Sequence, residues 1–406
     1  MGFQQGLSGL NAASKDLEVI GNNVANSSTV GFKQSQAQFA DVYASSLTGA
    51  GSSLQVGIGT KVTNVAQQFT QGNITSSNNP LDIAINGGGF FRLSNNGTIS
   101  YSRNGQFQLD KNGFITNSDG LHVTGYTANS SGVLSTGAPT DISISTADLP
   151  PKITSKVGAV LNLNSGEAVP TTTPFNIADP TTYNQATSVS VYDSLGNSHI
   201  LQTFYVKTAS NTWDVYASAD GTAIGAPTVQ GTLAFDSAGA LSSGSPFSVA
   251  VPVTTGAATP LSVSVDYTGT TQFGSTFSVN ALTQDGYTSG KLTGFNTGSD
   301  GVITGRYTNG QSATLGQVVL ANFADPNGLQ PLGNNTWAET AASGTPLVGS
   351  PGSGPLGVLQ SSATEDSNVD LTAELVNMIT AQRNYQANAQ TIKTEDQVMQ
   401  TLVNLR

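Results

Sequence analysis

The sequence predicts a multidomain protein with an α-helical, coiled-coil-like terminal domain formed by both chain ends and two mainly β domains, the outer one inserted into the inner. Three observations support this fold class. Apolar residues repeat with heptad spacing at both chain ends, turn signals recur about every 8 to 15 residues between them, and residues 145–285 are rich in Thr, Ser, Ala and Pro. At about 150 residues per domain, a length of 406 residues fits two to four domains.

The N-terminal helix is predicted from an apolar stripe with alternating spacings of four and three residues. Ser14 and Gly21 complete the heptad pattern, and Ala13 widens the stripe. Gly6 and Gly9 each cost the helix about 1 kcal/mol relative to Ala, so we expect the isolated segment to be largely unfolded. The larger apolar residues of this stripe are Phe3, Leu7, Leu10, Leu17, Ile20 and Val24.

The C-terminal helix is predicted from a longer stripe of the same spacing, interrupted by Gln382 and Asp396. Ser367 with Asp370 resembles a capping box at its start. At about 1.5 Å per residue the helix would be roughly 54 Å long. Its larger apolar residues are Leu371, Leu375, Met378, Tyr385, Ile392, Met399 and Val403.

Between the ends, Gly and Asn punctuate short apolar runs and predict hairpins. Turns are expected at Asn95–Gly97, Asn309–Gly310 and similar sites, with strands at Ile83–Ile85, Gly89–Leu93 and Gln317–Ala321. In the inserted region, alternating residues predict strands at 188–192, 204–207 and 213–216, separated by turns at 193–197 and 210–211.

These patterns predict four sets of boundaries. Low-complexity stretches, among them Gly49–Ser53, are expected to flank the helices. The expected parts are a helical terminal domain (1–30 and 365–406), extended connectors (31–71 and 341–364), an inner β domain (72–144 and 286–340) and an outer inserted β domain (145–285).

Composition argues against several classes of function. Charged residues make up only 10% of the chain and balance to −11, which leaves no basic stripe for nucleic acid. The chain has no Cys and two His, and no catalytic, cofactor-binding or metal-binding constellation is visible, so neither an enzyme nor a cofactor is expected. No apolar run approaches 18 residues and the N-terminus lacks signal-peptide features, so we expect no membrane insertion and a different export route.

The two stripes predict self-association. Pairing two helices would bury one stripe each and leave flanking apolar residues uncovered, so more helices are needed, and identical subunits are the simplest source. Heterologous contacts that do not close propagate as a helical filament. We therefore expect the thirteen larger apolar residues to form a polymerisation seam. The flanking residues are Val376, Ile379, Val398, Leu402 and Leu405.

Both ends carry motifs that resemble a known family. Residues 9–13 (GLNAA), 20–27 (IGNNVANS) and 31–33 (GFK) resemble the N-terminal signature of bacterial flagellar rod and hook proteins, and 367–371 (SNVDL) with 382–388 (QRNYQAN) resembles their C-terminal signature. The insertion at 145–285 favours hook subunits over the shorter rod proteins. The signature residues are Asn22, Asn23, Asn26, Gly31, Phe32, Lys33, Arg383, Asn384 and Tyr385.

This resemblance implies an architecture and a set of partners. Terminal helices would form an inner tube within two β layers, giving a short curved universal joint that transmits torque outside the cell. Implied partners are other copies of the chain, the distal rod protein, the hook–filament junction protein, the hook cap protein and the type III export apparatus. Outer surfaces of weak charge would let neighbouring subunits slide, because water exchanges readily for their hydrogen bonds.

Four other interpretations stay open at this stage. The C-terminal helix could pack only on its own domain. The chain could be a distal rod protein, although the insertion argues against that, or a secreted β-rich surface adhesin, although no anchor is evident. A secreted β-rich hydrolase would need paired carboxylates brought together by folding. His122 and His199 are expected to be ordinary strand residues, and Asp110–Gly113 an ordinary turn without calcium.

Overall fold

The computed structural model describes residues 2–42, 57–129, 132–145, 147–225 and 227–404. The chain divides into two compact units. Unit 1 comprises residues 1–145, 294–305 and 312–406, and unit 2 comprises residues 146–293 and 306–311. Unit 2 begins and ends within the sequence of unit 1, so unit 2 is inserted into unit 1. The low-complexity stretch at Gly49–Ser53 lies outside the described residues.

Both predicted helices are confirmed. Helix α1 spans Gly2–Ala25 and helix α2 spans Leu371–Asn404. The start of α2 differs from the expected capping box: Asp370 itself is the cap, and its carboxylate accepts from the backbone N–H groups of Thr372 and Ala373 at 2.9 and 3.1 Å. Ser367 accepts instead from the N–H of Val369 before the helix begins, because α2 starts four residues later than the serine.

Short strands account for most of the remaining regular structure, with single 3-10 turns at Pro180–Thr182 and Pro326–Gly328. In chain order the strands are β1 (Ser35–Val42), β2 (Gly59–Gln67), β3 (Ile74–Ser76), β4 (Ile83–Asn86), β5 (Phe90–Asn95), β6 (Thr98–Ser102), β7 (Gln108–Leu109), β8 (Ile115–Thr116), β9 (His122–Thr127), β10 (Thr140–Asp141), β11 (Lys156–Asn162), β12 (Gln185–Tyr192), β13 (Ser198–Ala209), β14 (Thr212–Ala219), β15 (Thr222–Ala223), β16 (Gly231–Phe235), β17 (Leu241–Ser243), β18 (Phe247–Val251), β19 (Leu261–Asp266), β20 (Ser278–Gln284), β21 (Leu292–Thr297), β22 (Val302–Tyr307), β23 (Ser312–Val318), β24 (Leu320–Asn322), β25 (Gln330–Gly333), β26 (Thr336–Ala338), β27 (Leu347–Gly349), β28 (Val358–Ser361) and β29 (Ala363–Glu365).

Unit 1 contains an antiparallel sheet in the order β23–β9–β5–β6–β26–β25. Aromatic residues fill the core of this sheet, and their rings pack edge to face. The rings of Phe90 and Trp337 lie 5.8 Å apart, and those of Tyr101 and Phe323 lie 4.7 Å apart. Two separate ribbons, β28 with β4 and β29 with β3, tie the segment before α2 to the first half of the unit.

Unit 2 is built from two sheets that share one hydrophobic core. One sheet has the order β18–β19–β11–β20, and the other has the order β12–β13–β14–β16–β17 with β15 beside β14. Alternating residues of each strand point into the core, as expected for two sheets packed face to face. Tyr205 and Trp213 lie in that core with no solvent exposure.

The predicted strands and turns of both units are largely confirmed. Strands at Ile83–Ile85 and 188–192 are present, and the turn at 193–197 joins β12 to β13. The strand expected at Gln317–Ala321 is interrupted at Val319, between β23 and β24. The segments expected as connectors carry paired strands, since β1 pairs with β2 and β27 to β29 all find partners. Neither described helix combines the length and apolar character needed to cross a membrane.

Candidate assembly surface

The two helices of unit 1 pack against each other in antiparallel directions. Near the start of α1, Gly6 faces Ile392, and near its end the Asn23 amide donates to a carboxylate oxygen of Glu374 at 3.4 Å. A Cβ added to Gly6 would lie 3.0 Å from Cγ1 of Ile392. The glycine that lowers helix propensity thus lets the two helices approach closely.

A second close approach occurs at Gly9, where an added Cβ would lie 2.6 Å from Oδ1 of Asn388. Small and polar residues with heptad spacing therefore make the contact within the chain. On α1 these residues are Gly6, Gly9, Ala13, Asp16, Ile20 and Asn23, and on α2 they are Glu374, Ala381, Asn388 and Glu395.

On α1 the stripe in contact lies one residue from the predicted seam. Ile20 is buried, and Leu10, Leu17, Val24, Met378 and Ile392 are partly buried. The other seam residues keep between 37% and 72% of their side-chain exposure: Phe3, Leu7, Leu371, Leu375, Tyr385, Met399 and Val403. Val376, Ile379, Val398 and Leu402 beside them are 50% to 59% exposed, and Leu405 lies outside the described residues.

The apolar surface of α2 is therefore uncovered within the chain. The helix does pack on its own unit, as one alternative interpretation required, but most of its large apolar residues remain exposed. Only Glu374 and Ala381 of α2 are buried among the described residues. Exposed apolar patches of this kind mark interaction surfaces in soluble proteins.

The end of α1 is held by hydrogen bonds to β1. The Asn23 side chain donates to the carbonyl of Ser35 at 2.8 Å and accepts from the N–H of Ser35 at 2.9 Å. The Gln34 side chain donates to Glu374 at 2.6 Å, so the same carboxylate contacts both α1 and the strand that follows it. Glu374 is 2% exposed, and these two amides pair its oxygens.

Asp16 brings a second carboxylate to this place. It lines a groove of about 650 Å³ together with Glu374 and Asn384. Burial and the nearby Glu374 charge raise the pKa of Asp16 above its ordinary value of 3.8. The helix pair therefore places two acidic side chains beside the same groove.

A buried charge cluster joins both ends of the chain to the β structure of unit 1. The Glu365 carboxylate lies 2.6 Å from the Lys33 ammonium and 3.2 Å from the Arg103 guanidinium. Lys33 also donates to the carbonyl of Thr70, and Arg103 to the carbonyl of Gly87. Burial lowers the pKa values of Lys33 and Arg103, while Glu365 opposes that shift for both. Removal of the carboxylate would leave two buried cations uncompensated.

The N-terminal signature residues have roles within this fold. Gly31 has a φ of +73° and donates its N–H to the carbonyl of Glu365 at 2.8 Å. A Cβ at Gly31 would lie 2.6 Å from the backbone nitrogen of Asn104. Asn26 donates to the carbonyl of Asn22 at 2.9 Å and closes the end of α1. Phe32, which is partly buried, continues this turn into β1.

The C-terminal signature residues behave differently. Arg383, Asn384 and Tyr385 are exposed on α2. Asn384 faces the groove that contains Asp16, whereas Arg383 forms no ion pair with any residue in the described part of the chain. Residues that fold the chain and residues that face outward thus both occur in the signature.

Glu365, Arg103 and Glu374 were not singled out as site residues. Their partners are distant in sequence, since 332 positions separate Lys33 from Glu365. The sequence does contain one signal for Glu365. Because the chain has only 25 acidic residues, a Glu flanked by strand residues is a candidate for a buried ion pair. Among the described residues, no His, Asp and Glu group is arranged to hold a metal ion.

Four family descriptions match successive parts of the chain. Residues 3–33 match "Flagella basal body rod protein", 84–191 match "Flagellar hook protein FlgE/F/G D1 domain", 162–287 match "Flagellar basal body protein FlaE D2 domain" and 360–405 match "Flagellar basal body rod FlgEFG protein C-terminal". The last two cover the inserted region and α2.

Relatives align over essentially the whole chain. The flagellar hook protein FlgE of Salmonella typhimurium is 45% identical, with 100% of both chains covered. FlgE of Borreliella burgdorferi is 32% identical, with 99% of this chain and 98% of the relative covered. A solved structure, Helicobacter pylori flagellar hook protein FlgE2, resembles the fold with a TM-score of 0.54 at 15% identity, covering 70% of this chain and 99% of that one. The chain belongs to the flagellar hook protein family.

Proposed function

We propose that this chain is a structural subunit that assembles into the hook of the bacterial flagellum, a curved and flexible tube outside the cell that carries torque from rod to filament. Identity of 45% over the full length to a flagellar hook protein supports the assignment. The observation that carries the mechanism is the set of apolar residues on α2, together with Phe3 and Leu7 of α1, that the chain leaves exposed.

The predicted seam is the surface that identical subunits would cover. Burial of a Leu, Val or Met side chain contributes about 1.5–3 kcal/mol, so covering half-exposed residues contributes roughly half of that each. Several such contacts per subunit suffice for stable association. Within the chain, close-packed Gly and Ala positions hold α1 to α2, which leaves the apolar face free for neighbours.

Load between the helices and the β structure of unit 1 would pass through the Glu365 cluster. The segment after α1 and the segment before α2 both meet at this carboxylate, through Gly31, Lys33 and Glu365 itself. A buried carboxylate with several partners fixes the geometry of this junction, because moving one charged partner away leaves the remaining buried charges less well compensated. We assign this junction to torque transmission.

Flexibility would come from the outer surfaces. Ser, Thr, Asn and Gln surfaces exchange hydrogen bonds with water at little cost, whereas dense charge pairs would fix one register. Only 10% of the residues are charged, and among the described residues the exposed pairs of Lys with a carboxylate are Lys15–Glu18 and Lys152–Asp285. Neighbouring subunits could therefore slide as the tube rotates while bent.

The remaining parts of the assignment are proposals by analogy with the family. The partners would be further copies of the chain, the distal rod protein, the hook–filament junction protein, the hook cap protein and the type III export apparatus. No enzymatic activity, cofactor or metal is assigned to the chain. The match of residues 162–287 to the D2 domain favours a hook subunit over a distal rod protein, and the full-length relatives argue against an adhesin or hydrolase.

Negative-stain microscopy of the purified full-length chain under polymerising conditions tests the assignment. We expect hollow, curved tubes. Straight tubes would favour the rod alternative, and particles that stay monomeric under every condition would contradict a polymeric subunit. Sedimentation of the same samples quantifies the assembled fraction.

A further inference from the structure

A buried histidine in unit 2 lies between two carboxylates. His199, at the start of β13, is 5% exposed. Its Nδ1 lies 2.7 Å from Oδ2 of Asp220, and its Nε2 lies 3.3 Å from Oδ2 of Asp193. Asp193 itself is fully buried. From the sequence alone we expect His199 to be an ordinary strand residue, because these partners lie 6 and 21 positions away from it.

The positions of the two carboxylates determine how many protons the His199 ring carries in this arrangement. A neutral imidazole has one N–H and can donate to only one carboxylate, whereas the imidazolium donates from both nitrogens. Both ring nitrogens of His199 face carboxylate oxygens, which can only accept from it when ionised. The arrangement therefore requires the charged form of the ring.

In the described part of the chain, Asp193 and Asp220 form ion pairs with His199 and with no Lys or Arg. The charged groups that the ring contacts are Asp193 in the turn after β12 and Asp220 in the turn after β14, and the neutral hydroxyl of Thr255, after β18, donates to Asp193. Loss of the ring charge would leave Asp193 buried beside a neutral group.

The cluster also connects separate segments. Asp193 accepts from the backbone N–H groups of Leu195 and Asn197, each at 2.9 Å, and so closes the turn before β13. Asp220 accepts from the N–H of Ile200 at 2.8 Å and adopts a φ of +48°, a region that non-glycine residues rarely enter. His199 lies between these two turns and bonds to both.

We propose that His199 is a pH-dependent clamp of unit 2, which in its charged form binds both turns that carry Asp193 and Asp220 and on deprotonation keeps a hydrogen bond to only one of them. Burial alone would lower the pKa of His199, but hydrogen bonds and charges from Asp220 and Asp193 outweigh it and raise the pKa above 6.5. The stabilisation is then complete below pH 6.5 and is lost as the pH rises through the raised value. Unit 2 should loosen in alkaline surroundings, whatever the chain assembles into.

The direct test is nuclear magnetic resonance of the full chain labelled with 15N-histidine, which has only two histidines to resolve. His122→Gln assigns the spectrum by removing the other signal. We expect His199 to carry protons on both nitrogens at pH 6.5 and to titrate above that value, with a lower midpoint in Asp220→Asn. A midpoint at or below 6.5, or a single protonated nitrogen at pH 6.5, would overturn the proposal.

Stability provides a second measurement. In a Trp337→Phe background, fluorescence of Trp213 reports on unit 2 alone, because the chain has two tryptophans. The urea midpoint of unit 2 should fall as the pH rises from 6 to 9. His122→Gln is the matched control, because His122 lies on β9 and its ring pairs with Asp141. The same fall is expected in this control. His199→Gln should remove most of the fall. An undiminished fall in His199→Gln would contradict the clamp.

Discussion

The carboxylate of Glu365 lies 2.6 Å from the ammonium of Lys33, and neither side chain has any solvent exposure. Replacement of Glu365 by Gln keeps the shape but leaves Lys33 and Arg103 without a counter-charge, so we expect unit 1 to lose about 3–5 kcal/mol of unfolding free energy. Urea denaturation in a Trp213→Phe background, in which Trp337 is the remaining tryptophan, measures this loss by fluorescence. Glu18→Gln, which breaks the exposed Lys15–Glu18 pair, is the control and should change stability by less than about 0.5 kcal/mol. Equal effects of the two variants would show that burial of the pair is unimportant.

Close packing at Gly6 predicts that a large side chain there separates the helices. Gly6→Leu should push α2 away because a Cβ alone would already lie 3.0 Å from Cγ1 of Ile392 and 3.6 Å from the backbone oxygen of Asn388. Because the chain has no native cysteine, nitroxide labels at Asn11→Cys and Gln386→Cys can report the distance between the helices by electron resonance. Gly21→Ala is the control, since nothing lies within 4 Å of its added Cβ, and it should leave the distance unchanged. An unaltered distance in Gly6→Leu would contradict the observed packing.

Asp16 predicts a pH dependence of the helix pair. Its pKa in the folded chain is raised by burial and by Glu374, so the stability it contributes is complete below the ordinary value of 3.8 and is lost as the pH rises through the raised value. Asp16→Asn should therefore strengthen the pair at pH 7 and flatten its pH profile. The same spin labels measure the paired fraction between pH 3.5 and pH 7. A variant that pairs less well than the wild type at pH 7 would show that the charge is favourable.

The cap at Asp370 predicts a local loss of helix stability. Asp370→Ala removes the acceptor for two backbone N–H groups and should cost α2 about 1 kcal/mol, with fraying visible in hydrogen exchange of its first turn. Ser367→Ala should cost clearly less, because Ser367 contacts only the N–H of Val369 at 3.3 Å. The reverse order would restore the capping-box interpretation.

Local periodicity and turn chemistry predicted the elements well. Heptad spacing placed both helices to within two residues at their starts, and Asp193–Asn197 and Ser210–Asn211 marked the turns on either side of β13. Both signals are short-range: one residue every three or four positions decides a helix face, and one Asn or Gly decides a hairpin. The paired strands of 31–71 and 341–364 were harder to foresee, because their partners lie in distant segments.

The inward face of the helices could not be predicted from apolar periodicity. Two stripes run along α1 one residue apart, and Phe3, Leu7 and Leu10 make one more hydrophobic than the other. The stripe that packs inside the chain contains Gly6 and Gly9 instead, because close backbone approach depends on the shape of both helices and on α2 in particular. Hydrophobicity identified the face of the helices that points away from the rest of the chain. The contacts of that face with neighbouring subunits stay a prediction. Long-range charge pairs such as Lys33 with Glu365 depend on the complete fold.

The central claim is that the exposed apolar residues of α2 join neighbouring subunits, and substitution on that face tests it most directly. The triple variant Ile379→Gln, Val398→Gln and Met399→Gln changes residues that are 50% to 60% exposed, so the circular dichroism of the monomer should not change. Negative-stain microscopy should show tubes from the wild type and from the control Leu332→Gln, which is 57% exposed outside the helices, and none from the triple variant. Normal tubes from the triple variant would contradict the account.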